Sequence, residues 1–367
     1  MIERGRSPMR SRFQTLANLT LPSTATVRDA LQAIDHNSTG IVLVVDENQR
    51  ILDSMTDGDL RRAILGGRTL DCGLAELMDR PERKQRPRPI TVTPETSPAD
   101  VLSLMKRYAV QQVPVVDQQG TVLGMHTMRA LVPDLDDGLE AVVMAGGFGS
   151  RLRPLTEDTP KPMLKVGDRP LLEHIIKGLR TSGIADVRVT THYRPEVIHG
   201  HFGDGSQFGV NMDYVHEDEP LGTAGALRLL ERPERTMLVM NGDILTNVDY
   251  RRMKAYHEEC RALMTVAVRA HETYIPYGVI QERDGIVVGI NEKPTIVHFV
   301  NAGIYMLDPR AFEYLGESGR MDMTDLIARL MDEGQTVASF PVTEYWLDIG
   351  HHDDYMRAQV DIQQGRV

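Results

Sequence analysis

The residues best suited to chemistry lie in one stretch, Ala145-Gly-Gly-Phe-Gly-Ser-Arg-Leu-Arg-Pro-Leu-Thr-Glu-Asp-Thr-Pro-Lys-Pro-Met163, directly after the apolar run Ala141 to Met144. Gly146, Gly147 and Gly149 remove side chains that would hold a triphosphate off the main chain, and they permit the positive φ of a tight turn. The N–H groups from Ala145 to Ser150 can then face one anion. Arg151 and Lys161 supply positive charge, while Pro160 and Pro162 stiffen the backbone that aims Lys161 and deny it a regular helix. The turn lacks the Lys-Ser/Thr ending of the common NTPase loop, and Leu152 stands where a dinucleotide fingerprint needs its third glycine.

Six further strings carry groups of matching chemistry. Leu221-Gly222-Thr223-Ala-Gly-Ala226 is a small-residue loop read as opening a helix, against whose amides a flat base can lie. Asn241-Gly-Asp243 places a carboxylate just past an apolar strand, where a divalent cation can be held, and Trp346-Leu-Asp348-Ile-Gly350 adds a second. Tyr277-Gly278-Val-Ile280 and Asn291-Glu292-Lys293-Pro294 bring a close backbone, a carboxylate and a lysine, and Val300-Asn301-Ala-Gly-Ile-Tyr305 adds a small-residue strand entrance. His351-His352-Asp353-Asp354 reads as an exposed helix start, since consecutive helical residues point in different directions. His192, His199 and His201 have no partners at zinc spacing.

These strings must be positioned by the elements between them. Glu140 to Met144 is a strand, and Pro170 to Ser182 is a helix with Leu171, Leu172, Ile175, Ile176 and Leu179 on one face. Asp186 to Thr191 and Thr236 to Met240 are further apolar strands. Such alternation predicts an α/β fold with a mostly parallel sheet, helices on both faces, and ligands beyond the carboxyl ends of the strands.

The first third repeats itself at an offset of about 71 residues, without insertion, a period expected of a self-packing pair. Val27-Arg-Asp-Ala-Leu-Gln-Ala-Ile34 matches Pro98-Ala-Asp-Val-Leu-Ser-Leu-Met105, Val44-Val-Asp46 matches Val115-Val-Asp117, and Thr56 matches Thr127. Each copy reads as helix, strand, turn, strand and helix. The expected organisation is a flexible start over 1–17, a repeat pair over 18–132 (repeats 18–79 and 90–132), a linker over 133–138, and an α/β domain over 139–367. Arg80, Arg83, Lys84, Arg86 and Arg88 lie among prolines between the repeats and read as a solvated linker.

Composition bounds the function. A chain of 367 residues with 41% hydrophobic content suits two or three domains. Its net charge of -11 argues against a general nucleic-acid binder, so polyanionic ligands must meet a local cluster of cations. Two distant cysteines, Cys72 and Cys260, suit a reducing cytoplasm, and no apolar run has membrane-spanning length. Met1 to Phe13 is basic with no apolar segment after it, so no signal peptide is expected.

The string from the glycines through Pro-Lys-Pro resembles the signature of the sugar-1-phosphate nucleotidyltransferases, and the other strings resemble that family's remaining motifs from Glu140 to about Gln359. The resemblance implies a Rossmann-like domain that joins an NTP to a sugar 1-phosphate and releases pyrophosphate. It gives Arg151 to the β- and γ-phosphates, Lys161 to the α-phosphate, Asp243 and Asp348 to Mg2+, and Lys293 to the sugar phosphate. Ala145, Gly146, Gly147, Gly149 and Ser150 would hold the triphosphate, Leu221, Gly222 and Thr223 the base, and Gly278, Glu292 and Asn301 the hexose. Two polyanions must be brought together in line, a task of charge cancellation that needs no protein nucleophile.

The N-terminal repeats resemble a tandem CBS (Bateman) pair, an α+β module that senses adenine nucleotides. Thr56 and Asp59 match that family's ribose and phosphate contacts, whereas the second copy has Ala130 in place of the Asp, and Asp53 stands where glycine is usual. Either one adenine nucleotide site remains or the module only dimerises. A CBS pair ahead of the transferase resembles the glucosamine-1-phosphate guanylyltransferases of bacterial legionaminic acid synthesis, and the glycine-loop wording resembles mannose-1-phosphate guanylyltransferases. GTP is therefore the expected nucleotide, ahead of dTTP, UTP or CTP, and a homodimer or homotetramer the expected assembly. A rival reading, a sensor of nucleotide sugars or adenylates, would need a lost metal carboxylate or phosphate cation, and none is missing.

Overall fold

The structure is a computed structural model that describes residues 18–37, 39–80, 89–131 and 138–367. It divides into two compact units, Met1–Asp136 and Asp137–Val367. The expected flexible start, Arg83 to Arg88 of the basic linker, and residues 132–137 lie outside the described residues.

In the N-terminal unit the first repeat forms β1 (Thr20–Pro22), α1 (Val27–Asn37), β2 (Ile41–Val45), β3 (Ile51–Thr56), α2 (Asp57–Leu65) and α3 (Leu74–Met78). The second forms α4 (Pro98–Tyr108), β4 (Gln112–Val116), β5 (Val122–Thr127) and α5 (Met128–Leu131). The β2 strand, Ile-Val-Leu-Val-Val, is buried throughout, as a continuous β-branched run requires. The repeats join where the Ile51 N–H donates to the Gly120 carbonyl at 3.2 Å and the Val122 N–H to that of Gln49 at 3.0 Å. Leu19, Ile41, Leu43 and Met125 close a shared apolar core beneath. This pairing uses the edges that each copy alone would leave open.

The C-terminal unit opens with β6 (Glu140–Met144), a short hairpin β7 (Lys165–Val166) and β8 (Arg169–Pro170), and α6 (Leu171–Thr181). Then come β9 (Asp186–Thr191), α7 (Pro195–Phe202), β10 (Asn211–His216), β11 (Met237–Asn241), β12 (Ile244–Thr246) and α8 (Tyr250–Cys260). The rest is β13 (Met264–Tyr274), β14 (Val279–Arg283), β15 (Ile286–Asn291), β16 (Thr295–Leu307), α9 (Met323–Asp332), β17 (Val337–Val342), β18 (Trp346–Asp348) and α10 (His352–Gln363). Seven strands form one sheet in the order β10-β9-β6-β11-β16-β13-β17, parallel except where β16 runs against β11 and β13.

The apolar face of α6, Leu171, Leu172, Ile175, Ile176 and Leu179, is buried as its spacing predicts. The Leu221 loop opens a 3-10 turn, Gly225–Leu229, in place of the expected helix, because its small residues are pinned by contacts described below. Val300 to Tyr305 lies inside the 13-residue β16, where a strand entrance was expected. No helix among the described residues is long and apolar enough to cross a membrane.

One buried group ties this fold to pH. His257 on α8 accepts or donates at Nδ1 to Thr265 Oγ1 across 2.9 Å, and burial holds its imidazole down at about 4. The unfolded chain therefore binds a proton that the folded chain refuses as pH falls from the ordinary histidine value toward 4. The expected loss in stability of this unit over that window is about 3 kcal/mol. His257→Gln should flatten the fall in melting temperature; an unchanged pH dependence would show that other groups control it.

Candidate functional site

The glycine turn begins where β6 ends. The Ala145 N–H is held by the Thr190 carbonyl at 3.0 Å. Of the three glycines, only Gly149 adopts positive φ, at 60°. A side chain there would begin 3.0 Å from Lys161 Cβ and 3.0 Å from Thr156 Cγ2, so this glycine lets the lysine loop close against the turn. Thr156 Oγ1 donates to the Gly149 carbonyl at 2.8 Å and locks the approach. Gly146 is required for another reason, since its missing side chain would lie 2.9 Å from Glu217 Oε1. Gly147 faces open space.

Pro160 and Pro162 confine Lys161 to a 3-10 turn, Lys161–Met163. Its side chain is buried and reaches Asp243 Oδ2 at 2.5 Å. Asp243 sits past β11, where Gly242 passes so close to β6 that a side chain would meet the Met144 carbonyl at 2.8 Å. Its backbone carbonyl accepts the Ile349 N–H at 3.0 Å, and Ile244 is in register with Asp348 in the β12–β18 pair. The two aspartates are thereby fixed side by side. Trp346 supports them, with Nε1 donating to the Ala302 carbonyl at 2.9 Å.

The electrostatics agree with this placement. Burial and then the Asp243 carboxylate hold the Asp348 carboxyl above its usual range, with Lys161 and Arg151 opposing the shift. Asp243 Oδ1 is buried with no hydrogen-bond partner. Arg151 brings a guanidinium nitrogen to 3.9 Å from where a Gly350 side chain would begin. Two facing carboxylates with an orphaned buried oxygen fit a hard divalent cation that takes the rest of its shell from phosphate oxygens and water, as magnesium does. Among the described residues no group of three or more His, Cys, Asp or Glu could hold a metal ion by itself.

The Leu221 loop is clamped from below. Gly222 has φ 83° and no room for a side chain, which would lie 2.5 Å from the Met321 carbonyl. Thr223 Oγ1 accepts the Met323 N–H at 2.8 Å, and the Leu221 carbonyl accepts that of Met321. Glu217 joins this loop to the glycine turn. Its carboxylate is buried, Oε2 accepts the Leu221 N–H at 3.1 Å, and Oε1 faces Gly146. Reading by motif missed Glu217 and Asp322, whose Oδ1 accepts the Thr223 N–H at 3.3 Å. Glu217 lies four residues before Leu221, and no sequence signal points to Asp322, which is 99 residues from Thr223.

The hexose candidates fall in two places. Asn301 lies near the aspartates, its Nδ2 donating to Tyr305 Oη at 2.9 Å, and Asp243 contributes to a rise in the Tyr305 phenol that burial dominates. Gly278 and Glu292 meet each other, with Glu292 Oε2 2.8 Å from where a Gly278 side chain would begin, and Lys293 follows at φ 48°. They stand beyond the Tyr274–Thr295 pair, six residues along β16 from Asn301. That is about 20 Å of strand.

In the N-terminal unit Thr56 and Asp59 form a capping box on α2, and the Asp59 carboxylate also takes Arg62 at 2.8 Å. Both matched side chains therefore hold their own helix. His351 caps α10 through Asp354, as expected of a helix start.

Residues 140–365 match the nucleotidyl transferase family, more than half the chain. The chain belongs to that family. Residues 14–66 and 76–133 match the CBS domain. Among nucleotidyl transferases, it is 31% identical over 236 residues to a mannose-1-phosphate guanylyltransferase of Mycobacterium tuberculosis, covering 62% of this chain. The chain spans only 65% of that relative's length. It is 32% identical to a D-glycero-alpha-D-manno-heptose 1-phosphate guanylyltransferase of Aneurinibacillus thermoaerophilus, over 61% of this chain and 99% of that one. A solved Bacillus anthracis structure assigned as a glucose-1-phosphate thymidylyltransferase aligns with a TM-score of 0.50 at 28% identity, over 60% of this chain and 94% of that one.

Proposed function

We propose that this chain transfers a guanylyl group from GTP to a hexose 1-phosphate, glucosamine 1-phosphate first and mannose 1-phosphate as the alternative. The observation that carries the reading is the convergence of Lys161, Arg151, Asp243 and Asp348 at the carboxyl end of the sheet beside a glycine turn. A sugar-phosphate oxygen bonds to the α-phosphorus of GTP, the bond to the β-phosphate oxygen breaks, and pyrophosphate leaves. Lys161 balances charge at the α-phosphate and Arg151 at the departing phosphates. The turn from Gly146 to Ser150 presents its N–H groups, the Ala145 N–H being held by Thr190. Lys293, about 20 Å of strand from Asn301, would take the incoming sugar phosphate only with the ribbon of β13 and β16 bent back over the site. Asp243 and Asp348 would hold magnesium, which supplies Lewis-acid neutralisation of the phosphate oxygens.

Glu217 supports the choice of base. A buried carboxylate only accepts hydrogen bonds, and the Watson–Crick edge of guanine offers donors at N1 and the 2-amino group. Thymine and uracil offer one donor between two acceptors. Glu217→Gln swaps one acceptor for a donor in the same shape and should cut the preference for GTP over dTTP and UTP by about 10- to 100-fold. Competition among triphosphates in a pyrophosphate assay measures it, and an unchanged ranking would remove Glu217 from base selection.

A further inference from the structure

Arg151 is aimed by its backbone alone. Among the described residues its guanidinium takes no hydrogen bond and no ion pair. Acidic groups are nevertheless close: Asp348 Oδ1, Asp354 Oδ2 and Arg151 Nη1 lie 3.6, 3.7 and 3.9 Å from the one point where a Gly350 side chain would begin. A long, flexible cation beside two carboxylates closes on one of them unless something holds it off. The turn that carries it, Ser150–Leu152, is too short to do so by itself, since the Arg153 N–H reaches the Ser150 carbonyl only at 3.4 Å. Outside contacts hold that turn. Thr156 Oγ1 donates to the Gly149 carbonyl, and Leu152 is fully buried in a core with Leu347, Ile349 and Ala358. His352 Nε2 meets the Arg153 carbonyl at 3.0 Å. A carbonyl only accepts, so Nε2 carries the proton and donates.

We propose that His352 is a positioning residue for Arg151: its bond to the Arg153 carbonyl ties the turn to the start of α10, keeping the guanidinium off Asp348 and Asp354 and available to the β- and γ-phosphates. Packing of Leu152 is non-directional and sets the depth of the turn; the hydrogen bond at Arg153 is directional and sets its rotation. His352 can act this way because its own place is fixed. It is the first residue of α10, four beyond Asp348, and the Asp354 carboxylate closes that first turn by accepting the His351 N–H at 2.9 Å. Ile349, whose N–H donates to the Asp243 carbonyl, joins the same segment to the other aspartate. The tether therefore sets the phosphate cation and both carboxylates in one frame.

This role rests on the proposed assignment of Arg151 to the departing phosphates, and the test separates the two. GTP and GMP differ only in the β- and γ-phosphates, so calorimetric affinities of both for the full-length chain in magnesium isolate the Arg151 contact. His352→Ala is expected to weaken GTP by about tenfold and to leave GMP unchanged. Arg151→Ala should weaken GTP at least as much, and adding His352→Ala to it should cost nothing more, because the tether then has no guanidinium to aim. His352→Gln, whose amide N–H can reach the same carbonyl, should bind GTP as the parent does. Equal losses for GTP and GMP, losses that multiply in the double variant, or a His352→Gln chain as weak as His352→Ala would overturn the role and leave the proposed reaction standing. A parent chain that binds GTP no better than GMP would instead remove the phosphate assignment of Arg151, and this role with it.

Discussion

Asp243→Asn is expected to lower turnover by on the order of a hundredfold or more, with the fold intact. Asp243 carries two duties in the proposed site. Its Oδ2 holds Lys161 at 2.5 Å, and its buried Oδ1 has no partner within the protein. Asparagine preserves shape and the backbone bond to Ile349, so β12 and β18 remain paired, but a neutral amide cannot neutralise a divalent cation. The effect should fall on turnover and on the magnesium requirement together. The same substitution relieves repulsion on Asp348, which burial and Asp243 hold above its usual range. It also leaves the buried Lys161 without its carboxylate, so in the absence of divalent cation the variant should melt somewhat lower than the parent, and magnesium should no longer raise its melting temperature. Near-parental rates at saturating magnesium would contradict the assignment.

Lys161→Ala is the second large effect, with an expected loss of about 10² to 10³ in turnover, as for removal of one preorganised charge from a reacting phosphate. The structure sharpens the companion expectation on stability. Lys161 is a buried cation paired with Asp243, and truncating it strands a partly buried carboxylate. Some stability should be lost in the apo form and recovered with magnesium, because the cation takes over the neutralisation of Asp243. Rate loss that magnesium leaves in place, with stability restored, separates a role at the α-phosphate from a structural one. An unfolded variant in magnesium would make Lys161 a structural residue first.

The sequence exposed most of this site because its groups are set by short-range chemistry. Gly149, Pro160 and Pro162 have local backbone reasons to be what they are, and a carboxylate one residue past an apolar strand and a glycine is legible as Asn241-Gly-Asp243. The three central parallel strands β9, β6 and β11 were equally legible, since buried parallel strands read as apolar runs separated by amphipathic helices. What could not be read was set at long range. Gly146 looked like a turn glycine until Glu217 was seen to occupy the space of its side chain, and Gly222 looked permissive until Met321 was found beneath it. Thr56 and Asp59 matched a nucleotide motif whose residue types, Thr and Asp three apart, are also those of a helix capping box. The antiparallel β16 escaped for a similar reason, since strand direction follows from the whole chain path and not from any residue in it.

The measurement that tests the central claim most directly is pyrophosphate release by the full-length chain, with and without magnesium, crossing GTP, dTTP, UTP and CTP with glucosamine, N-acetylglucosamine, mannose and glucose 1-phosphates. The account predicts release that depends on magnesium and on both substrates, with GTP preferred and glucosamine or mannose 1-phosphate as acceptor, and a GDP-sugar as the second product. Absence of release with every pair, from protein that still binds GTP and magnesium, would contradict it.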